Sequence, residues 1–196
     1  MLQDTHKSSY KEKNMEIRIQ APFKKEDIKD LKAGDNVLIS GTIIAARDAA
    51  HKRLMEVKES GGQIPLDLTN QTIYYMGPSP AKPGEVIGAS GPTTSGRMDK
   101  YTPMMLDFGI SGMIGKGYRS KEVIDSIIAH KAIYMVAIGG AGALIQRSIK
   151  KYEVLAYGEL GAEAIARLEV VDFPAIVAID SKGNNFYEIG QKQYKK

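Results

Sequence analysis

The chain has 196 residues, 43% of them hydrophobic and 26% charged, with 20 Gly and 8 Pro, which fits a folded globular chain and excludes collagen-like, coiled-coil and disordered classes. The formal net charge of +4 sits in the tails: Lys7, Lys11 and Lys13 outweigh Asp4 and Glu12 by one, and Lys192, Lys195 and Lys196 add three. The body is therefore charge-balanced, so no nucleic-acid partner is expected; with no Cys, thiolate metal sites, disulfides and a Cys nucleophile are excluded within these residues.

Residues 1–14 lack the apolar stretch of a secretory signal and read as a flexible extension. Residues 15–190 read as one domain and residues 191–196 as a basic tail. The longest apolar run, residues 132–143, falls short of the ~18 to 20 residues that span a bilayer. A cytoplasmic protein without a membrane partner is expected.

Alternation from Met15 through Ile19 predicts a first strand, Lys25 to Leu31 a short helix, and Val37 to Ile44 a β-branched strand after the turn signal Ala33-Gly34-Asp35. Ala46-Arg47-Asp48-Ala49-Ala50-His51 then opens a helix that Gly61-Gly62 ends, with Asp48 placed where a carboxylate suits a helix N-terminus. Short strands are predicted at Thr72 to Tyr75 and Glu85 to Ala89. Thr102-Pro103 reads as the cap and first-turn proline of a helix over Met104 to Phe108.

Ile110 to Ile114 reads as a strand ending in Gly115-Lys116-Gly117. Ser120 caps a helix burying Val123 and Ile127, and Ala132 to Ile138 reads as a buried parallel strand. A helix is expected from Gly140 to about Lys151 and another over Ala162 to Leu168. Ala175 to Asp180 and Asn185 to Ile189 flank Ser181-Lys182-Gly183-Asn184 as a hairpin. This mixture predicts an α/β domain with both parallel and antiparallel strands.

Three strand endings concentrate chemistry: Arg47-Asp48 with His51, the segment Gly91-Pro92-Thr93-Thr94-Ser95-Gly96-Arg97, and Gly115-Lys116-Gly117. Ligands of open α/β sheets bind at the carboxyl ends of the strands, so Arg47, Arg97 and Lys116 are expected to converge on one anion. Glycines flanking Thr93-Thr94-Ser95 let the backbone approach a ligand while NH groups and hydroxyls donate to its oxygens, and Arg97 supplies a planar fork matched to carboxylate. A small dicarboxylate fits this set. Each piece also has a plainer reading: Arg47-Asp48 as a solvated pair, His51 as a structural hydrogen-bonded residue, Thr93-Thr94 as a capping pair. Gly139-Gly140-Ala141-Gly142-Ala143 has the first glycines of a dinucleotide fingerprint, but Ile145 stands at the third and no acidic residue ends a following strand.

Ala46 to Arg53, Tyr74-Tyr75-Met76-Gly77-Pro78-Ser79-Pro80, Gly91 to Tyr101, Ile114 to Gly117 and Asp172-Phe173-Pro174 resemble, in this order, the C-terminal domain of class I, iron-sulfur fumarate hydratases. In two-subunit versions that domain is the separate β subunit, akin to the β subunit of L-tartrate dehydratase. The resemblance implies a single swivelling β/β/α domain and a site shared with an α subunit in a hetero-oligomer. It also implies a 4Fe-4S cluster carried by that partner, with no metal bound by this chain. The implied activity is the interconversion of fumarate and L-malate, with dehydration of tartrate or another hydroxy-dicarboxylate as the alternative. A non-catalytic carboxylate-binding module is the reading of a different class. The resemblance implies dicarboxylate contacts from Arg47, Thr93, Thr94, Arg97 and Lys116, catalytic duty for Thr93, Arg97 and Lys116, and proton transfer or substrate orientation by Thr93. Asp48 and His51 are the expected supports of Arg47.

Overall fold

The computed structural model describes residues 16–137 and 142–194, with the backbone alone for 191–194. The predicted extension 1–14, residues 139–141 of the glycine run, and Lys195 and Lys196 of the tail lie outside the described residues.

Seven strands form one mixed sheet: β1 (Ile17–Ala21), β2 (Asn36–Ala45), β3 (Thr72–Tyr74), β4 (Gly112–Gly115), β5 (Ile133–Val136), β6 (Ile149–Ala156) and β7 (Ile165–Ile179). The order is β1-β2-β3-β4-β5-β7-β6, and β7 also pairs with β2. The strands β2, β3, β4, β5 and β7 therefore close a five-membered ring, with β1 and β6 as flanking additions. β1 to β5 run parallel to one another and β7 runs antiparallel to β2, β5 and β6, which confirms the mixed α/β expectation.

Side chains alternate between two apolar cores, as the two-residue period of a strand requires. Ile39, Ile43, Tyr74, Ile114, Met135, Phe173 and Val177 fill one. Ile44, Ile73, Met113 and Tyr134 face the other, against helices α2 (Asp48–Glu59), α3 (Thr102–Asp107) and α4 (Lys121–His130). The Ser120 hydroxyl accepts from Val123 N, capping α4 as expected, and burial of Val123 and Ile127 adds about 1.5 to 3 kcal/mol each. Two further short helices are α1 (Lys25–Ile28) and α5 (Gly142–Ser148).

Several expectations are corrected. Glu85 to Ala89 is loop, not strand, and Val86 there is half exposed. The helix expected to reach Lys151 stops at Ser148, where β6 begins. Ala162 to Leu168 is not a helix but the end of a 3-10 turn (Gly158–Glu163) and the start of β7. In β7, buried Leu168 and Val170 alternate with exposed Arg167, Glu169 and Val171. Asn185 makes only a single bridge to Ile179, and the chain then enters helix α6 (Phe186–Tyr194), which runs through Gly190. Asp180 stops the hairpin from extending: its carboxylate accepts from the backbone of Lys182 and Asn184 and from the Asn184 side chain, an Asx-type turn that redirects the chain. Thr102 does not cap α3; a 3-10 helix (Ser95–Tyr101) precedes it directly.

No helix among the described residues is long and apolar enough to cross a membrane.

Candidate functional site

The parallel register of β2, β3 and β4 carries their carboxyl ends to one edge of the sheet. Arg47 follows β2, Tyr75 to Gly77 follow β3, and Lys116 follows β4. Past Tyr75, whose N–H still reaches Ile114 O at 2.8 Å, the strands β3 and β4 part and the segment 93–95 fills the gap. Thr93 N donates to Tyr75 O (2.7 Å), Thr94 bridges Lys116 in parallel, and Ser95 N donates to Lys116 O (2.9 Å). The Thr93-Thr94 pair is thereby inserted as a short strand between two others, beside Lys116.

Below it, Ser95 is fully buried and ties the layers together. Its hydroxyl oxygen accepts from Lys116 N at 3.0 Å and from the Tyr134 hydroxyl at 2.8 Å. Gly115 makes this approach possible, because a Cβ there would collide with Ser95 Oγ. Arg119 closes the same block. Its guanidinium lies over Tyr134 and Tyr75, binds Asp99 at 2.7 Å, and donates to Thr102 Oγ1 at 2.6 Å. Burial disfavours its charge, but Tyr75, Asp99 and Tyr134 outweigh that and hold its pKa above the ordinary value. The tie of Ser95, Arg119 and Tyr134 is not visible in the local sequence.

Asp48, the first residue of α2, joins two cations: Oδ2 accepts from Arg47 Nε at 3.1 Å and Oδ1 from Arg97 Nε at 2.8 Å. Arg47 and Arg97, fifty positions apart in the chain, thus meet on one carboxylate. Burial works to raise the Asp48 pKa, yet its backbone hydrogen bond, the bond from Arg47 and the charges of Arg97 and Arg47 bring it below the usual value. The Lys116 side chain is exposed and is tied to this group through its backbone bridge to Thr94.

His51 lies beneath, fully buried. Its Nδ1 stands 2.8 Å from the carbonyl oxygen of Arg47. A carbonyl only accepts, so Nδ1 carries the proton and Nε2, which has no hydrogen-bond partner among the described residues, carries the lone pair. Burial pushes the imidazole pKa down to about 4, against the bond to Arg47, so the ring is neutral at pH 7. The ring packs edge-on against Tyr75. His51 thus supports the Arg47 backbone rather than its guanidinium.

One site residue is absent from the sequence reading: Glu163, 3.4 Å from Arg47 Nη2, with its other oxygen accepting from Ala49 N at 2.7 Å. Its only local signal is an acidic residue just before a strand.

The arrangement is a cationic rim with hydroxyl and amide donors at neighbouring strand ends, suited to binding carboxylates. Among the described residues no group of three or more His, Asp or Glu side chains could hold a metal ion. With no Cys in the sequence, an iron-sulfur cluster has no thiolate ligand here.

The family described as "Fumarase C-terminus" matches residues 1–190. "Fumarate hydratase class I, anaerobic" of Escherichia coli is 45% identical over 152 residues, covering 76% of this chain and 28% of that protein. "Fumarate hydratase 2" of Leishmania major is 38% identical over 178 residues, 89% of this chain and 31% of that protein. A Methanocaldococcus jannaschii protein named "Putative L(+)-tartrate dehydratase subunit beta" is 40% identical over 179 residues, 88% of this chain and 92% of that one. The chain thus spans about a third or less of the two fumarate hydratases, but nearly the whole of the subunit-sized relative.

Proposed function

Because the chain belongs to the fumarase C-terminus family, we propose that it is the β subunit of a two-subunit hydro-lyase interconverting fumarate and L-malate. The observation that carries this reading is the meeting of Arg47 and Arg97 on Asp48 beside the inserted Thr93-Thr94 segment. The subunit-sized relative supports a separately encoded β subunit and also favours a second reading, dehydration of tartrate. The finer picture is a domain that swivels against an α subunit carrying the 4Fe-4S cluster.

Dehydrating malate removes a weakly acidic proton beside a carboxylate and expels hydroxide, a leaving group for which the partner's cluster, when bound, would supply the Lewis acid. The proton's departure loads negative charge onto that carboxylate. Arg47, Arg97 and Lys116 hold the carboxylates and meet this charge as it forms, and a preorganised cation does so without reorganising at the moment of reaction. The hydroxyls of Thr93 and Thr94 orient the substrate against them, while Thr93 N is spent on Tyr75 O and fixes the segment. Thr93 is assigned the proton transfer: adjacent positive charge, whose attraction strengthens where the partner excludes water, stabilises the ionised hydroxyl that the step needs against the desolvation that opposes it.

Co-expression with a cysteine-bearing iron-sulfur partner, followed by assay of the anaerobic complex on fumarate and on tartrate, tests the reading. Hydration of fumarate without turnover of tartrate is expected. Tartrate turnover alone would select the second reading. A complex that binds dicarboxylates without turning any over would make the chain a binding module and overturn both.

A further inference from the structure

We propose that Glu163 is a positioning residue that fixes the guanidinium of Arg47 in the orientation a substrate carboxylate requires, an inference that rests on the carboxylate-binding reading of this site. Arg47 is held from two sides. Asp48 takes Nε, but it also takes Arg97, so alone it would let the Arg47 plane swing about a single shared contact. Glu163 engages Nη2 at the far end of the guanidinium at 3.4 Å. A hydrogen bond at Nε and an ion pair at Nη2 together restrain the guanidinium, where the hydrogen bond alone leaves it free to turn.

Glu163 is itself anchored. While Oε1 faces Arg47, Oε2 accepts from Ala49 N at 2.7 Å in the first turn of α2, where a free N–H and the helix dipole favour a carboxylate. The strut therefore connects the guanidinium to a helix rather than to solvent.

The walls of the slot agree. A Cβ at Gly77 would lie 3.1 Å from Arg47 Cδ, 3.2 Å from Nη1 and 2.9 Å from Ala162 O, so residue 77 packs closely against both the Arg47 side chain and the backbone of the residue preceding Glu163. A glycine leaves Nη1 unobstructed. With Nε hydrogen-bonded to Asp48 and Nη2 ion-paired to Glu163, the guanidinium keeps further N–H donors for the bidentate pairing that arginine makes with carboxylates. The Arg47 side chain is only 21% exposed, which confines it to this pose.

The test is a mutant cycle in the reconstituted complex. Glu163→Gln can accept from Arg47 or from Ala49 N with its one carbonyl but not both, and Glu163→Asp keeps the charge but is one methylene short. Both are expected to lower kcat/KM by roughly 10- to 100-fold, the scale of a misplaced binding group, chiefly through KM. In an Arg47→Ala background the same changes should cost at most about 2-fold, because the group they position is gone. Unaltered kinetics of both Glu163 variants, or equal losses with and without Arg47, would overturn the inference while leaving the site reading intact. Full activity of Arg47→Ala would overturn both.

Discussion

Arg97 separates what a residue does for the fold from what it does for a ligand. Its side chain is half exposed and its ion pair with Asp48 is of the surface kind, worth about 0 to 1 kcal/mol of stability. In a closed site the same guanidinium would be a charge-assisted clamp, and losing one such donor costs about 100- to 1,000-fold in rate. Arg97→Ala in the reconstituted complex should therefore lower kcat/KM by at least about 100-fold with an unfolding midpoint close to the parent's. Near-normal kinetics would remove Arg97 from the site. Arg47, Asp48, Thr93, Thr94, Arg97 and Lys116 stand out as candidates in the sequence because each lies beside a local signal, a strand end or a glycine turn. Glu163 does not, since it acts on a residue more than a hundred positions away, and nothing next to it in the chain records that partner.

The site depends on how closely the 93–95 segment seats between β3 and β4, and Gly115 sets that distance. An added methyl there would collide with Ser95 Oγ and sit 2.9 Å from Tyr75 Cδ2. Both neighbours are fully buried and cannot move aside. Gly115→Ala should cost about 1 to 3 kcal/mol, as overpacking typically does, and should weaken dicarboxylate turnover because Thr93 and Thr94 move with Ser95. Gly91→Ala, with nothing among the described residues within 4 Å of its Cβ, is the control and should stay within about 0.5 kcal/mol. Urea unfolding of the two variants measures this directly, and equal stability would show that the segment is not seated by that contact. Elements with one dominant local pattern, such as β2, α2 and α4, could be read from the sequence. Only the second half of β7 reads as a strand in the sequence: its start reads as helix because Ala166, after Ala162 and Ala164, blurs the alternation, and because Pro174 and the left-handed Asp172 are signals that normally end a strand.

At the scale of the whole molecule, closure of the ring by β7 against β2 is a pairing between residues such as Ile43 and Leu168, and no local pattern specifies a contact so distant. His51 under the ring's carboxyl edge gives the folded state a measurable acid sensitivity. The native ring resists protonation until about pH 4 because burial excludes the charged form, whereas an unfolded histidine takes up its proton near pH 6.5. Between those values the unfolded chain binds more protons, so stability rises with pH through the window and is lost as pH falls from about 6.5 to about 4. The loss is bounded at about 3 kcal/mol, from roughly 2.5 pH units at 1.36 kcal/mol each. Asp48, with its pKa lowered, acts in the same direction but below the ordinary carboxylate range, outside most of this window. His51→Asn keeps a donor at the Nδ1 position for the Arg47 carbonyl and cannot titrate. Its unfolding free energy should be lower at neutral pH, since it leaves a cavity against Tyr75, yet flatter between pH 4 and 6.5 than that of the parent. Chemical denaturation at several pH values reads the two slopes, and parallel slopes would assign the acid sensitivity to another group.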